Sequence, residues 1–414
     1  MRNKCSSTRL LSWTVFIGAL SCRFLLAADD IKSGSAVFLI RESHIQDGVK
    51  QAQILPSTDI GSKLWVEKRD GNRLWVNMPR ACGWVPLGDV LPPKQAIDHF
   101  TAIISRGGPH LARAYEGRGR ARLLLNDLDG ALADCERLIA LEPHEPKSHS
   151  GRGEIWLIQG DFQRALEDYH RAIEICERSP ASPMAQASFI YCRGLARHNL
   201  NDLNGAYTDY TRAIEKHGKH LPSLIRRGLI LRDRGRFDEA IADFNAVLAL
   251  DANFTAALVD RGVTHEMKGD YRSAIADYRT VIKNCPDALF APQTRSAHLY
   301  SGRTLPASVV RLLEPRRSAY FNLVTLLSTC TDDSVRDGVE AVRLAEVIRK
   351  LDQGRYYLFV AAEAAANAES GDFTKATALQ REAVSTAQPD EKDRMQALVE
   401  IYGQGRPQRT ILSP

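Results

Sequence analysis

Five arginines stand in register with five aspartates along the middle of this chain. Arg118, Arg152, Arg193, Arg227 and Arg261 each lie sixteen residues before Asp134, Asp168, Asp209, Asp243 and Asp277. A guanidinium is a planar fork of N–H donors that can bond one carboxylate twice, so such a row has two possible uses. Turned to solvent, it would gather an acidic ligand. Turned to the matched aspartates, it would be a structural ladder. A carboxylate supplied for every guanidinium favours the ladder. Other chemistry-bearing residues are sparse. His217 and His220 have chelating spacing but no carboxylate neighbours in sequence, and the eight cysteines form no Cys-x-x-Cys pair. The chain has no Gly-x-Ser-x-Gly, phosphate loop or His-Glu-x-x-His. The expectation is therefore no catalytic site, no metal and no cofactor.

The elements that must hold the ladder follow from its period. Every one of the five arginines precedes a glycine, and an alanine follows twelve residues after that glycine, at Ala131, Ala165, Ala206, Ala240 and Ala274. The alanines are 34, 41, 34 and 34 residues apart. A repeat of about 34 residues is the signature of stacked helical hairpins, a mainly α solenoid. Turn residues fall between each Arg-Gly and its Ala, as in Asn126-Asp127, Gly160-Asp161 and Gly269-Asp270. In an antiparallel hairpin this brings Arg and Asp nearly level, within one repeat or across to the next. Both partnerships are open at this stage.

Position by position the hairpins resemble the tetratricopeptide repeat family. One copy carries Leu258, Gly262 and His265 on its first helix and Ala274, Tyr278 and Val281 on its second. Another carries His149, Gly153 and Trp156, then Ala165, Tyr169 and Ala172. The resemblance implies a protein- or peptide-binding groove lined by first-helix residues. Those positions are Arg120, Glu154, Tyr191, His198, Ile225, Leu229, Arg232, Val263 and Glu266, with Val259 beside them. The Lys/Asn pattern that clamps a C-terminal carboxylate in some members is missing.

The predicted solenoid spans 94–286, as a half repeat followed by five repeats. One insertion, Glu177 to Pro183, is rich in Ser and Pro and reads as a loop. Residues 287–318 hold four prolines and glycines, Pro292, Gly302, Pro306 and Pro315, and read as an irregular linker. Regularity returns over 319–405, before a tail at 406–414. This block resembles a paired C-terminal module of secreted planctomycete tetratricopeptide proteins, through Asn322-Leu323, Thr329-Cys330, Arg336-Asp337-Gly338 and Gly371-Asp372-Phe373. Its last hairpin has Glu363 and Leu379 in the Arg and Asp slots, so its stacking is expected to rest on apolar contact.

The N-terminal part has a different texture. Over 33–92, short β-rich runs alternate with turns, and Asp70-Gly71-Asn72 marks a hairpin. The runs around Leu64-Trp65-Val66, Leu74-Trp75-Val76 and Gly83-Trp84-Val85 resemble the bacterial SH3-like barrel, which implies a small all-β domain. Trp65 and Trp75 are its candidate ligand surface, while Trp84 is expected to pack in or beside the barrel core. Before it, residues 1–28 read as a secretory signal peptide: Arg2, Lys4 and Arg9, then Leu10 to Leu20, then Ala27-Ala28. Rival readings keep this segment as a membrane anchor or acylate Cys22. The body would then be exported to the periplasm or cell envelope. The signal contains four of the cations behind the formal net charge of +5, and no acid, so without it the charge is +1. A near-neutral body gives no reason to expect nucleic acid. Cys176 and Cys192 flank the insertion and are a candidate disulfide. The expected function is a non-enzymatic scaffold for a protein or peptide. The alternative is a cell-wall module holding peptidoglycan through the β-domain and recruiting an enzyme through the repeats.

Overall fold

A computed structural model describes residues 36–39, 63–70, 73–78, 81–86, 90–178, 182–284, 315–352 and 356–409. The chain divides into two compact units, Met1–His217 and Gly218–Pro414.

The first unit opens with strands β1 (Ala36–Leu39), β2 (Lys63–Asp70), β3 (Arg73–Met78), β4 (Ala81–Pro86) and β5 (Val90–Leu91). They form one antiparallel sheet in the order β4-β3-β2-β1-β5. Asp70 pairs with Arg73 across the predicted Gly71-Asn72 turn. Val37 and Phe38 are successive strand residues and therefore point to opposite faces, yet both are fully buried. Both faces of β1 are thus covered, and α1 (Pro93–Arg106) packs against this strand. Trp65 lies opposite Ala36 and Asn77, and Trp75 opposite Lys68 and Trp84. The side chains of these two tryptophans, and residues 1–35, lie outside what is described.

Helix α1, expected from sequence as a half repeat, precedes the first hairpin and packs against it. Its Phe100 is buried beneath the first hairpin, α2 (Leu111–Leu124) and α3 (Leu128–Leu141). Next come α4 (Pro146–Gln159) with α5 (Phe162–Arg178), and α6 (Pro183–Asn199) with α7 (Leu203–Lys216). The inserted segment is less of a loop than its composition suggested. Helix α5 extends through Glu177 and Arg178, and α6 starts at Pro183 with Ser182 as its cap, accepting from the Ala185 N–H. Proline suits the first helical turn, where no N–H partner is needed, so Glu177, Arg178 and Pro183, three of the seven inserted residues, are helical. Cys176 and Cys192 are free thiols.

In the second unit the hairpins are α8 (Leu221–Asp233) with α9 (Phe237–Leu250), then α10 (Thr255–Lys268) with α11 (Tyr271–Asn284). After a stretch outside the described residues come α12 (Pro315–Thr329) with α13 (Gly338–Asp352), α14 (Tyr357–Glu369) with α15 (Phe373–Thr386), and a closing helix α16 (Lys392–Gly403). Helix α12 begins at Pro315, four residues before the regularity read from sequence at Ala319. It is buried on most sides, packing against α10, α11, α13 and α14.

The turn chemistry repeats across both units. Asn126, Gly160, Asn201, Gly235, Gly269 and Gly371 all have positive φ at the end of a first helix. Glycine and asparagine tolerate that left-handed conformation, which explains the Asn/Gly alternation at the slot. The following aspartates cap the second helices: Asp127, Asp161, Asp202, Asp270 and Asp372 accept from the N–H three residues on. Each such cap contributes about 1 kcal/mol.

Candidate binding groove

The ladder forms, and it closes within each hairpin. Arg118, Arg152, Arg193, Arg227 and Arg261 donate through Nε and Nη2 to the paired aspartate at 2.5–3.2 Å. The five aspartates are buried, with at most 5% exposure. Two of them take a second cation, Arg122 on Asp134 and Arg197 on Asp209, each at 2.8 Å. Asp168 instead has His149 at 3.7 Å. Burial pushes the Asp168 carboxyl up, but the nearby His149 ring and the hydrogen bonds from Arg152 outweigh this and hold it below the usual carboxylate range. The third guanidinium nitrogen reaches the preceding helix. Arg118 Nη1 donates to Thr101, Arg193 Nη1 to His170 Nδ1 and Arg261 Nη1 to Asn245. One arginine thus bonds a carboxylate in its own hairpin and ties that hairpin to its predecessor.

Behind the ladder, small residues admit rings. Rings of Tyr169, Tyr210, Phe244 and Tyr278 lie over Gly153, Gly194, Gly228 and Gly262 of their own hairpins. The aromatic therefore fills the space within its own hairpin. Cys135 occupies the aromatic slot of the first hairpin. The last hairpin packs largely through apolar residues of α14 and α15, as expected, and adds a charge pair. Glu363 is buried, and Arg349 of the preceding helix donates to it at 2.9 Å, with Lys375 at 3.9 Å. In the hairpin that lost the Arg–Asp pair the acid thus stands on the first helix, and its arginine comes from the preceding hairpin.

The groove positions divide between the units. In the first, Arg120 pairs with Glu116 at 2.7 Å, and Tyr191 is buried against Tyr210. Glu154 lies near two cysteines, and His198 is half-buried. The Cys135 and Cys192 thiols are pushed up to about 12, chiefly by burial, so neither is a nucleophile near neutral pH. In the second unit, Ile225 and Leu229 on α8 and Val259 and Val263 on α10 are all partly exposed. Their i, i+4 spacing makes a stripe on each first helix. Arg232 joins the stripes, reaching Asp233 at 3.1 Å and Asp260 of α10 at 3.7 Å. Asp260 was missed in sequence because it lies beside the family's groove positions, not on them.

Two acids here differ from the ladder aspartates. Glu266 accepts from the Tyr278 hydroxyl at 3.0 Å and has no ion pair among the described residues. Burial pushes its carboxyl up to about 7, and that of Asp260 to about 6. A raised carboxyl favours the folded state fully only below about pH 4.5, the ordinary glutamate value, and that contribution is lost as pH rises through about 7. Glu266→Gln should therefore melt like the parent at about pH 5 and gain on the order of 2 kcal/mol at about pH 8. Thermal melts at both values check this; equal melting at the higher pH would contradict it.

No group of three or more metal-ligating side chains occurs among the described residues. His220 is engaged with Ser223 at 2.8 Å. No described helix is long and apolar enough to cross a membrane.

The comparison with curated proteins yields no match. Among solved structures, YrrB, a tetratricopeptide repeat protein with an unusual peptide-binding site, is 21% identical. That match covers 47% of this chain and 95% of YrrB, with a TM-score of 0.37. A tetratricopeptide repeat protein from Parabacteroides merdae is 15% identical over 75% of this chain and 99% of its own, with a TM-score of 0.43. The C-terminal part of a repeat protein from Cytophaga hutchinsonii is 14% identical over 66% of this chain and 97% of its own, with a TM-score of 0.46. The family model for the tetratricopeptide repeat matches residues 93–146, 126–183 and 225–288. With the hairpin period, the Gly–aromatic packing and this match together, residues 93–183 and 225–288 are tetratricopeptide repeats.

Proposed function

We propose that the chain is a non-enzymatic scaffold that holds a protein or peptide on the first-helix face of its repeats. The observation that carries this reading is the commitment of the ladder. Its five arginines are bonded to buried aspartates, which leaves ligand contact to the residues that vary between hairpins. Of these, the partly exposed stripes on α8 and α10 offer an apolar surface. Capture of short immobilised peptides by the full chain tests it. Leu229→Asp or Val263→Asp should weaken the best captured peptide about tenfold or more, since a charge in an apolar anchor site is poorly tolerated. Unchanged capture by both variants would reject the groove.

A second reading is favoured by the N-terminal sheet. Five antiparallel strands with Trp65, Trp75 and Trp84 on neighbouring strands support an SH3-like domain that binds peptidoglycan. In that case residues 1–28 direct export, 33–92 attach to the wall, and the repeats, including the module at 319–405, recruit an enzyme. Sedimentation with purified peptidoglycan, lost in Trp75→Ala, would favour this reading; no sedimentation would remove it.

A further inference from the structure

The α8–α10 face of the second unit combines two features. The first is the pair of apolar stripes, Ile225 and Leu229 beside Val259 and Val263. The second is an acid without a counter-cation. Among the described residues the other buried carboxylates are matched: the ladder aspartates each take an arginine and Glu363 takes Arg349, while the partly buried Glu369 takes Arg336. Glu266 breaks this rule, with the neutral Tyr278 hydroxyl as its hydrogen-bond donor. It stands three residues after Val263, on the same face of α10.

We infer that this face takes an extended peptide carrying a Lys or Arg between aliphatic residues, with the cation on Glu266 and the aliphatic side chains on the α8 and α10 stripes. The inference rests on the peptide-binding reading above and names the ligand's chemistry. A partly buried carboxylate without a cation is costly, and a ligand ammonium relieves that cost where water cannot do so fully. Charge complementarity excludes the opposite choice, because an acidic peptide would face Glu266 and Asp260 together. Asp260, farther along α10, adds to the negative field. Arg232 and Arg226 temper it and Asp233 reinforces it. The other titratable groups around Glu266 are Tyr278 of α11 and Cys330 at the end of α12, both neutral near pH 7. Burial holds Glu266 near the edge of ionisation, so binding a cation should release protons and strengthen as pH rises through about 6 to 7.

Fluorescence anisotropy with the full chain tests this. The probe is a short fluorescein-labelled peptide with one central Lys between valines, compared with its Gln and Glu counterparts. The Lys peptide should bind about tenfold or more tighter than the Gln peptide at about pH 8, as one charge-assisted bond would give. The preference should shrink towards about pH 5.5. It should vanish in Glu266→Gln. Equal binding of Lys and Gln peptides to the wild type, or a preference that persists in Glu266→Gln, overturns the inference and leaves the groove standing. Failure of every peptide to bind, or binding indifferent to both Leu229→Asp and Val263→Asp, overturns the groove and the inference with it.

Discussion

Asp209→Ala is expected to destabilise the fold by about 3–5 kcal/mol, the cost of breaking a buried ion pair by removing one partner. The reason is local. Asp209 is 1% exposed and accepts from two guanidiniums, Arg193 and Arg197. Arg193 is itself buried, with 8% of its side chain exposed, so removal of the carboxylate leaves a cation that cannot rehydrate without opening the hairpin. Arg227→Glu should cost at least as much, because it leaves Asp243, with 7% of its side chain exposed, facing a second carboxylate. Chemical denaturation of both variants checks this. A loss below about 1 kcal/mol for Asp209→Ala would place the ladder among surface ion pairs, which contribute little.

Gly262→Ala should also destabilise, against the usual trend for a helix interior. Alanine favours a helix by about 1 kcal/mol over glycine. Here a Cβ would stand 2.6 Å from Tyr278 Cε1, and the ring is fully buried with no room to retreat. Overpacking of this kind costs about 1–3 kcal/mol and outweighs the propensity gain. Gly151 provides the control. Its added Cβ would meet Cys135 Sγ at 3.8 Å, an ordinary contact, so Gly151→Ala should stabilise by up to about 1 kcal/mol. Opposite signs in thermal melts support the packing account; stabilisation by both would contradict it.

Much of this architecture was legible in the sequence because each rule concerns near neighbours. Turn residues, caps and the Gly–Ala spacing act within one hairpin, and so does the Arg–Asp step. What was not legible depends on contacts between hairpins. The third N–H of Arg193 reaching His170, and Arg349 of one helix compensating Glu363 of the next, involve separations that no local period encodes. The insertion was misjudged for a related reason. Ser and Pro signal a loop, but Pro183 at the start of α6 and helical continuation to Arg178 satisfy the same residues. At the groove, the family positions were named from the repeat slots. Burial of Glu266 and Asp260 without adequate cations arises only when α8, α10, α11 and α12 pack together.

The division between a structural ladder and a ligand-contacting groove is the core of this account. Its most direct test is photo-crosslinking of the full chain with the Lys peptide bearing a benzophenone beside the lysine, mapped by mass spectrometry. The account predicts adducts on α8 and α10, at Leu229, Val259 or Val263. Adducts confined to the second helices α9 and α11, or to the N-terminal strands, would contradict it.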